Sequence, residues 1–129
     1  MKDDMGINKS MPEELAPKII DGLKKHTAYL GFFVCIDGQY AALANCNLNF
    51  STWKAKPLIN IHDFIVSPKY RKQGVGQFLL SEIERYAQQN GYCKINLEVR
   101  NDNYKAQNLY KKAGFTNCEP PMYYWQKII

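Results

Sequence analysis

Histidine is scarce in this chain, and cysteine lacks any paired spacing. Its 129 residues hold two histidines, His26 and His62, and four cysteines, Cys35, Cys46, Cys93 and Cys118. No cysteine pair has CxxC spacing and the two histidines stand far apart, which argues against a zinc finger, a thioredoxin-type pair and a disulfide scaffold. The expected state is reduced thiols packed in or near strands of a cytoplasmic protein, with no metal site. Long apolar runs are absent too. The longest, Tyr29 to Ile36, falls far short of the ~20 residues that span a bilayer, so no membrane partner is expected. Met1-Lys2-Asp3-Asp4 does not open a secretory signal. There is also no long basic run, repeat or low-complexity segment. The +5 net charge, from 17 Lys and Arg against 12 Asp and Glu, is scattered. Such a charge favours an anionic partner. Without a basic stripe interleaved with exposed aromatics, nucleic acid is not expected.

What is present suits one globular domain over residues 1–129, with 46% hydrophobic residues and a length sufficient for a core. Residues 1–9 read as a loose leader. Ser10 and Glu13 form a capping box, and Leu15, Ile19 and Leu23 follow at helical spacing. Pro17 kinks that helix or moves its start to about Ala16. Tyr29 to Ile36 reads as a strand, Asp37-Gly38 as a tight turn and Gln39 to about Asn47 as the partner strand. Asn49 to Pro57 reads as a loop whose Phe50 and Trp53 either cap the core edge or serve a site.

The centre of the chain is Val66 to Leu80. The apolar run Ile59 to Val66 ends at Ser67-Pro68, a basic segment follows, and after Gly74-Val75-Gly76 the apolar residues take helical spacing at Val75, Phe78, Leu79, Ile83, Tyr86 and Ala87. Strand, glycine turn and helix in that order aim backbone N–H groups and a helix N-terminus at one point, a ready phosphate site. Gly74 and Gly76, lacking Cβ, would let a pyrophosphate approach the main chain. A P-loop needs Gly-Lys-Ser/Thr, but Gly76 is followed by Gln77-Phe78. A dinucleotide fingerprint needs a third glycine where Leu79 stands. The remaining alternative is a glycine turn that merely seats a helix on a sheet.

The helix ends near Gly91. Cys93, Ile95, Leu97 and Val99 alternate with polar residues as a half-buried strand. Asn101-Asp102-Asn103 turns the chain into a helix with Ala106, Leu109, Tyr110 and Ala113 on one face, ending at Gly114. Past Pro120-Pro121, Met122 to Ile129 reads as a closing aromatic strand.

Two of these stretches carry a resemblance. Arg71-Lys72-Gln73-Gly74-Val75-Gly76 is similar to the Arg/Gln-x-x-Gly-x-Gly/Ala loop of the GCN5-related N-acetyltransferases (GNAT). Lys72 stands where many members have glycine. Asn103-x-x-Ala106-x-x-Leu109-Tyr110-x-x-x-Gly114-Phe115 resembles the second signature of that family, in the right order and with one strand between. The matched region, roughly Leu58 to Phe115, is nearly half the chain. The implied fold is a mixed α/β architecture: a central, mostly antiparallel mixed sheet with helices on both faces. Only about one helix fits before Tyr29, so the first strand and helix of the family are shortened or missing. The resemblance therefore implies a complete cofactor half and a more open acceptor half, or one finished by a second subunit. An open edge at Tyr29 to Ile36 is expected to be covered by a homodimer partner or by residues 1–27.

The chemistry implied is acetyl transfer from acetyl-CoA to an amine of a small molecule or peptide. In this picture the backbone of Phe64, Ile65 and Val66 pairs with the pantetheine arm. The amides of Arg71, Lys72, Gln73, Gly74, Val75 and Gly76 hold the pyrophosphate. Asn103 bonds the cofactor or simply caps its helix, or both. Tyr110 is the general acid or a core aromatic. Lys69, Lys72, Lys105 and Lys111 are candidates for the 3′-phosphate. The base is Asp63, His62 or a relayed water. Polyamine and diamine acetyltransferases, which the stretch from Ser51 to Val66 faintly resembles, place a glutamate where this chain has His62. The alternative is a module that binds acetyl-CoA with little or no catalysis.

Overall fold

The computed structural model describes residues 15–129. The leader of residues 1–9 and the capping box at Ser10 and Glu13 lie outside them. Helix α1 spans Leu15–Lys25, with Pro17 near its described start, and none of its residues is buried.

Four strands follow one another across a single sheet: β1 (Tyr29–Ile36), β2 (Gln39–Ser51), β3 (Lys56–Val66) and β4 (Ile95–Leu97). The first two pairings are antiparallel and the last is parallel, so the sheet is mixed and mostly antiparallel as expected. Asp37 (φ 50°) and Gly38 (φ 76°) are both left-handed, which is what a two-residue hairpin turn with matching twist requires. β1 lies at one edge, and no described strand pairs along its outer side.

Three expectations need correction. The loop after β2 is shorter than expected, because β2 runs to Ser51 and β3 begins at Lys56. Phe50 is therefore a strand residue, 64% exposed, and Trp53 is 96% exposed, so neither caps the core edge. β4 keeps only three residues of the expected Cys93–Val99 strand. Met122 to Ile129 forms no strand, and Met122, Tyr123, Trp125 and Ile128 are exposed. Aromatic composition raises strand propensity, but a strand forms only against a partner edge, and β4 offers a very short one.

The two faces of the sheet differ in chemistry. Pairing aligns Phe32 with Ala44 and Phe64, Leu30 with Cys46 and Ile61, and Val34 with Ala42 and Val66. These residues make the apolar face and belong to the core or pack against it. Helix α2 (Val75–Gln89) buries Val75, Leu79, Leu80, Ile83 and Ala87 there, and Tyr86 meets Phe32 edge to face at 5.3 Å. Helix α3 (Tyr104–Lys112) joins the same layer through Tyr110, 6.0 Å from Phe64. On the opposite face Tyr29 aligns with Asn47, and Gly31 with Asn45 and Asp63, a polar stretch that gives way to the apolar row of Phe33, Leu43 and Ile65. The segment after α1 is tied to that face by His26 Nε2 and Asn47 Oδ1, 3.2 Å apart.

Cys46 faces the core and is 1% exposed. Burial pushes its thiol up to about 12, and the nearby Asp63 charge adds to the effect. Unfolded, the thiol ionises near its ordinary value of 9.0. Between these values the unfolded chain has released a proton that the folded chain still holds, so stability falls as pH rises. Tyr29 and Tyr92, both raised chiefly by burial, act in the same direction. The urea midpoint should therefore drop between pH 9 and 11, more steeply in the wild type than in Cys46→Ala. A thiol reagent at pH 8 should label exposed Cys35 and Cys118 quickly and Cys46 only on unfolding; rapid labelling of Cys46 in the folded chain would contradict this packing.

Candidate active site

The site begins at an irregularity in β3. Asn45 pairs with Asp63 but Cys46 pairs with Ile61, so His62 is an extra residue, a bulge. A bulge shifts the side-chain phase by one and bends the strand. Ile59 and Ile61 face the core before it, and Phe64 and Val66 after it. Without the slip, Asp63 would point into the core and Phe64 out of it. β3 pairs with β4 only over Ile59–Ile61, against Ile95–Leu97. From the bulge onward the two strands separate. Among the described residues, Phe64, Ile65 and Val66 then have no strand partner on that side.

The basic loop closes the end of this wedge. Pro68–Tyr70 forms a single 3₁₀ turn, and the Tyr70 ring is buried. Tyr70 Oη donates to Gln39 Oε1 at 3.0 Å, and Lys69 Nζ donates to the same oxygen at 2.7 Å. Lys69 is thus engaged with the hairpin, while Lys72, Lys105 and Lys111 are exposed. Arg71 Nε donates to the Val66 carbonyl at 3.1 Å, and Gln73 Nε2 to the Lys69 carbonyl at 3.1 Å. Lys72 (φ 62°) and Gly74 (φ 78°) are both left-handed. Alternating handedness of this kind turns successive N–H groups toward one hollow. Lys72 occupies a glycine-like conformation, which explains why glycine is frequent there in the resembling loops. Among the described residues no side chain caps the N-terminus of α2, which leaves its first N–H groups suited to an anion.

The two glycines of the loop differ in role. A Cβ on Gly74 would meet nothing within 4 Å, whereas one on Gly76 would stand 3.3 Å from both Leu109 methyls and 3.5 Å from Val66 Cγ2. The space at Gly76 is therefore taken by helix and strand packing, and is not left for a pyrophosphate as the sequence suggested. Gln77 Nε2 reinforces the contact by donating to the Leu109 carbonyl at 2.9 Å.

α3 brings the second motif to the wedge. Asn103 caps it, its Oδ1 accepting from the Ala106 N–H at 3.2 Å, so the plain cap role is real. Tyr110 is half-buried between Phe64 and Phe115, with ring centroids at 6.0 and 5.8 Å. Its ring thus packs against the strand whose main chain lines the wedge. Asp63 lies on the polar face and accepts from Asn45 Nδ2 at 3.3 Å, while His62 is exposed at the bulge. Sequence reasoning missed the bulge and the roles of Tyr70, Asn45 and Gln77. The bulge had a signal: apolar residues fall at 59 and 61, then at 64 and 66.

The sequence model described as the Acetyltransferase (GNAT) family matches residues 5–115. The chain belongs to this family. Among curated relatives, an uncharacterized N-acetyltransferase of Methanocaldococcus jannaschii is 32% identical over 91 residues, 69% of this chain and 40% of that protein. The streptothricin acetyltransferase of Streptomyces lavendulae is 29% identical over 117 residues, 89% of this chain and 60% of that one. This GNAT chain thus spans 40% to 60% of the length of these two relatives. In structure it is similar to an aminoglycoside N-acetyltransferase solved in complex with CoA, with TM-score 0.72 and 17% identity over 91% of this chain and 79% of that one.

The contrast between the glycines predicts a test of the GNAT loop. Asparagine tolerates the left-handed region where β-branched residues do not. Gly74→Asn should stay within about 0.5 kcal/mol of wild type, and Gly74→Val should lose roughly 1–2 kcal/mol. Gly76→Val and Gly76→Asn should both lose about 2 kcal/mol by overpacking against Leu109. Thermal melts of the four variants check this; equal loss at both positions for asparagine would refute the distinction.

Proposed function

We propose that this chain transfers an acetyl group from acetyl-CoA to a primary amine by direct attack, with both substrates bound together. The observation that carries the reading is the wedge between β3 and β4, opened at His62 and closed by an uncapped helix N-terminus behind the Arg71–Gly76 loop. The wedge suits an extended arm that ends in a pyrophosphate. Acetyl-CoA supplies an acyl group activated as a thioester. Phe64, Ile65 and Val66 would bond the arm through their main chain, as an added strand does. The N–H groups of the loop from Arg71 to Gly76 would hold the pyrophosphate. Lys72, Lys105 and Lys111 stand free of the loop's internal bonding and would meet the 3′-phosphate.

The chemistry sets two further requirements. A primary amine with pKa ≈ 10.4 is neutral in about four molecules in ten thousand at pH 7, so a base must take its proton. Asp63, on the polar face one residue before the wedge-lining segment, is the residue we assign. Exposed His62 or a relayed water is the second choice. A main-chain N–H of β3 would stabilise the carbonyl oxygen as it gains charge. Tyr110 would donate a proton to the leaving thiolate.

A thiol-release assay with acetyl-CoA over a panel of aliphatic diamines, amino acids, aminoglycosides and peptides tests the reading. Tyr110→Phe keeps the ring and its packing against Phe64 and Phe115, so affinity for acetyl-CoA should change less than about twofold. A CoA thiolate leaves fairly well unaided, so kcat should fall by about 10²-fold, the low end for general acid catalysis. Wild-type kcat in that variant, with chemistry rate-limiting, would make Tyr110 a core aromatic only. A CoA-dependent thermal shift without turnover on any amine would favour a binding module over an enzyme.

A further inference from the structure

The polar face of the sheet carries a line of groups that crosses three strands. Tyr29 on β1 donates from Oη to Asn45 Oδ1 at 2.8 Å, and Asn45 Nδ2 on β2 donates to Asp63 Oδ2 on β3 at 3.3 Å. The order of donors is set by charge. Were the amide reversed, its oxygen would face a carboxylate; with the phenol donating into Oδ1, the NH₂ group turns toward Asp63. Tyr29 pairs opposite Asn47, two residues from Asn45 in register, so its side chain must lie along the strand to reach Asn45. Gly31 permits this. A Cβ at Gly31 would stand 2.9 Å from Tyr29 Cζ and closer still to Oη. A glycine within a strand is destabilising relative to alanine, and here that cost accompanies the placement of one hydroxyl.

The line ends on a carboxylate held by a neutral donor. Among the described residues no Lys, Arg or His forms an ion pair with Asp63. Asp63 is half-buried on this face, and Asn47 adds further polar surface beside it. A carboxylate fixed by an amide, and ion-paired with no described cation, is suited to receive a cation from outside. The bulge at His62 puts Asp63 on this face and its neighbour Phe64 on the other, so a cation bound at Asp63 lies next to the strand segment assigned to the acyl donor.

We propose that Asn45, set by Tyr29 lying over Gly31, is a positioning residue that presents the Asp63 carboxylate to a cationic primary amine on the polar face of the sheet. The proposal rests on the acetyltransferase reading for its reaction, though not for its binding site. Asn45 acts only through Asp63, and Tyr29 only through Asn45. The acceptor class is a hydrophilic amine that is charged on arrival and delivers its proton at this face.

The test is a double-mutant cycle with a binding arm. Asn45→Ala should lower kcat/KM for the amine by about tenfold or more, as expected for losing a hydrogen bond to a charged group, with KM for acetyl-CoA unchanged. Tyr29→Phe should show a smaller loss of the same kind. In an Asp63→Asn background, Asn45→Ala should cost almost nothing further, since a residue working only through Asp63 is non-additive with it. Additive losses, or a parallel rise in KM for acetyl-CoA, would overturn the proposal. The binding arm titrates 1,4-diaminobutane while the Asn45 side-chain amide resonance is followed by NMR. A shift that requires Asp63 supports the site even if no amine turns over, a result that would sink the acetyltransferase reading alone. Turnover without that shift and without an Asn45 effect would sink the present inference alone.

Discussion

One extra residue in one strand governs the site. The bulge at His62 changes which side chains of β3 face the core, and β3 and β4 part at the same level. Before it, Ile59 and Ile61 pack inward and the parallel ladder to β4 is intact. After it, Phe64 and Val66 pack inward, Asp63 turns to the polar face, and the backbone on the β4 side is left without a strand among the described residues. An unpaired strand edge is ordinarily a liability that proteins cover. Here it lies between α3 and the Arg71–Gly76 loop, where an extended ligand rather than a neighbouring chain would complete the pairing.

The packing around the wedge shows how the rest of the molecule holds that geometry. Gly76 lets α2 approach Leu109 of α3 and Val66 of β3, and Gln77 ties the same two helices through a hydrogen bond. Tyr70 anchors the loop to the hairpin through Gln39. Arg71 links the loop back to the end of β3. The loop is therefore fixed from three sides before any ligand arrives. A loop held in this way would lose less conformational entropy on binding an anion than a loop ordered by the ligand. Lys72 holds its left-handed conformation within that frame, a strain of about 1–2 kcal/mol that the surrounding bonds offset.

Much of this was legible in the residues, because it depends on local signals. Asp37-Gly38 marks the hairpin, Gly91 and Gly114 mark helix ends, and the change from period two to helical spacing at Val75 marks the strand–loop–helix unit. The family resemblance rested on the same stretch. Other features depend on what lies opposite in space. Trp53 and Phe50 look like core residues in sequence, yet no neighbour covers them. Met122 to Ile129 has the composition of a strand but pairs with no described strand. Gly76 reads as a phosphate glycine, and only the position of Leu109, thirty-three residues later in the chain, shows what its missing Cβ makes room for. The line from Tyr29 through Asn45 to Asp63 joins residues 16 and 18 positions apart, beyond the reach of any periodicity.

The central claim is that the separated edge of β3 is a binding surface for the acyl donor. Amide hydrogen exchange at Phe64, Ile65 and Val66, read with and without CoA, tests it most directly. The account predicts slower exchange for the amides of this segment on the β4 side when CoA is added, together with protection at Val75 and Gly76. Ile59 and Ile61, already paired with β4, should be unaffected. Protection of the loop amides without any change in residues 64–66, or no change at either, would contradict it.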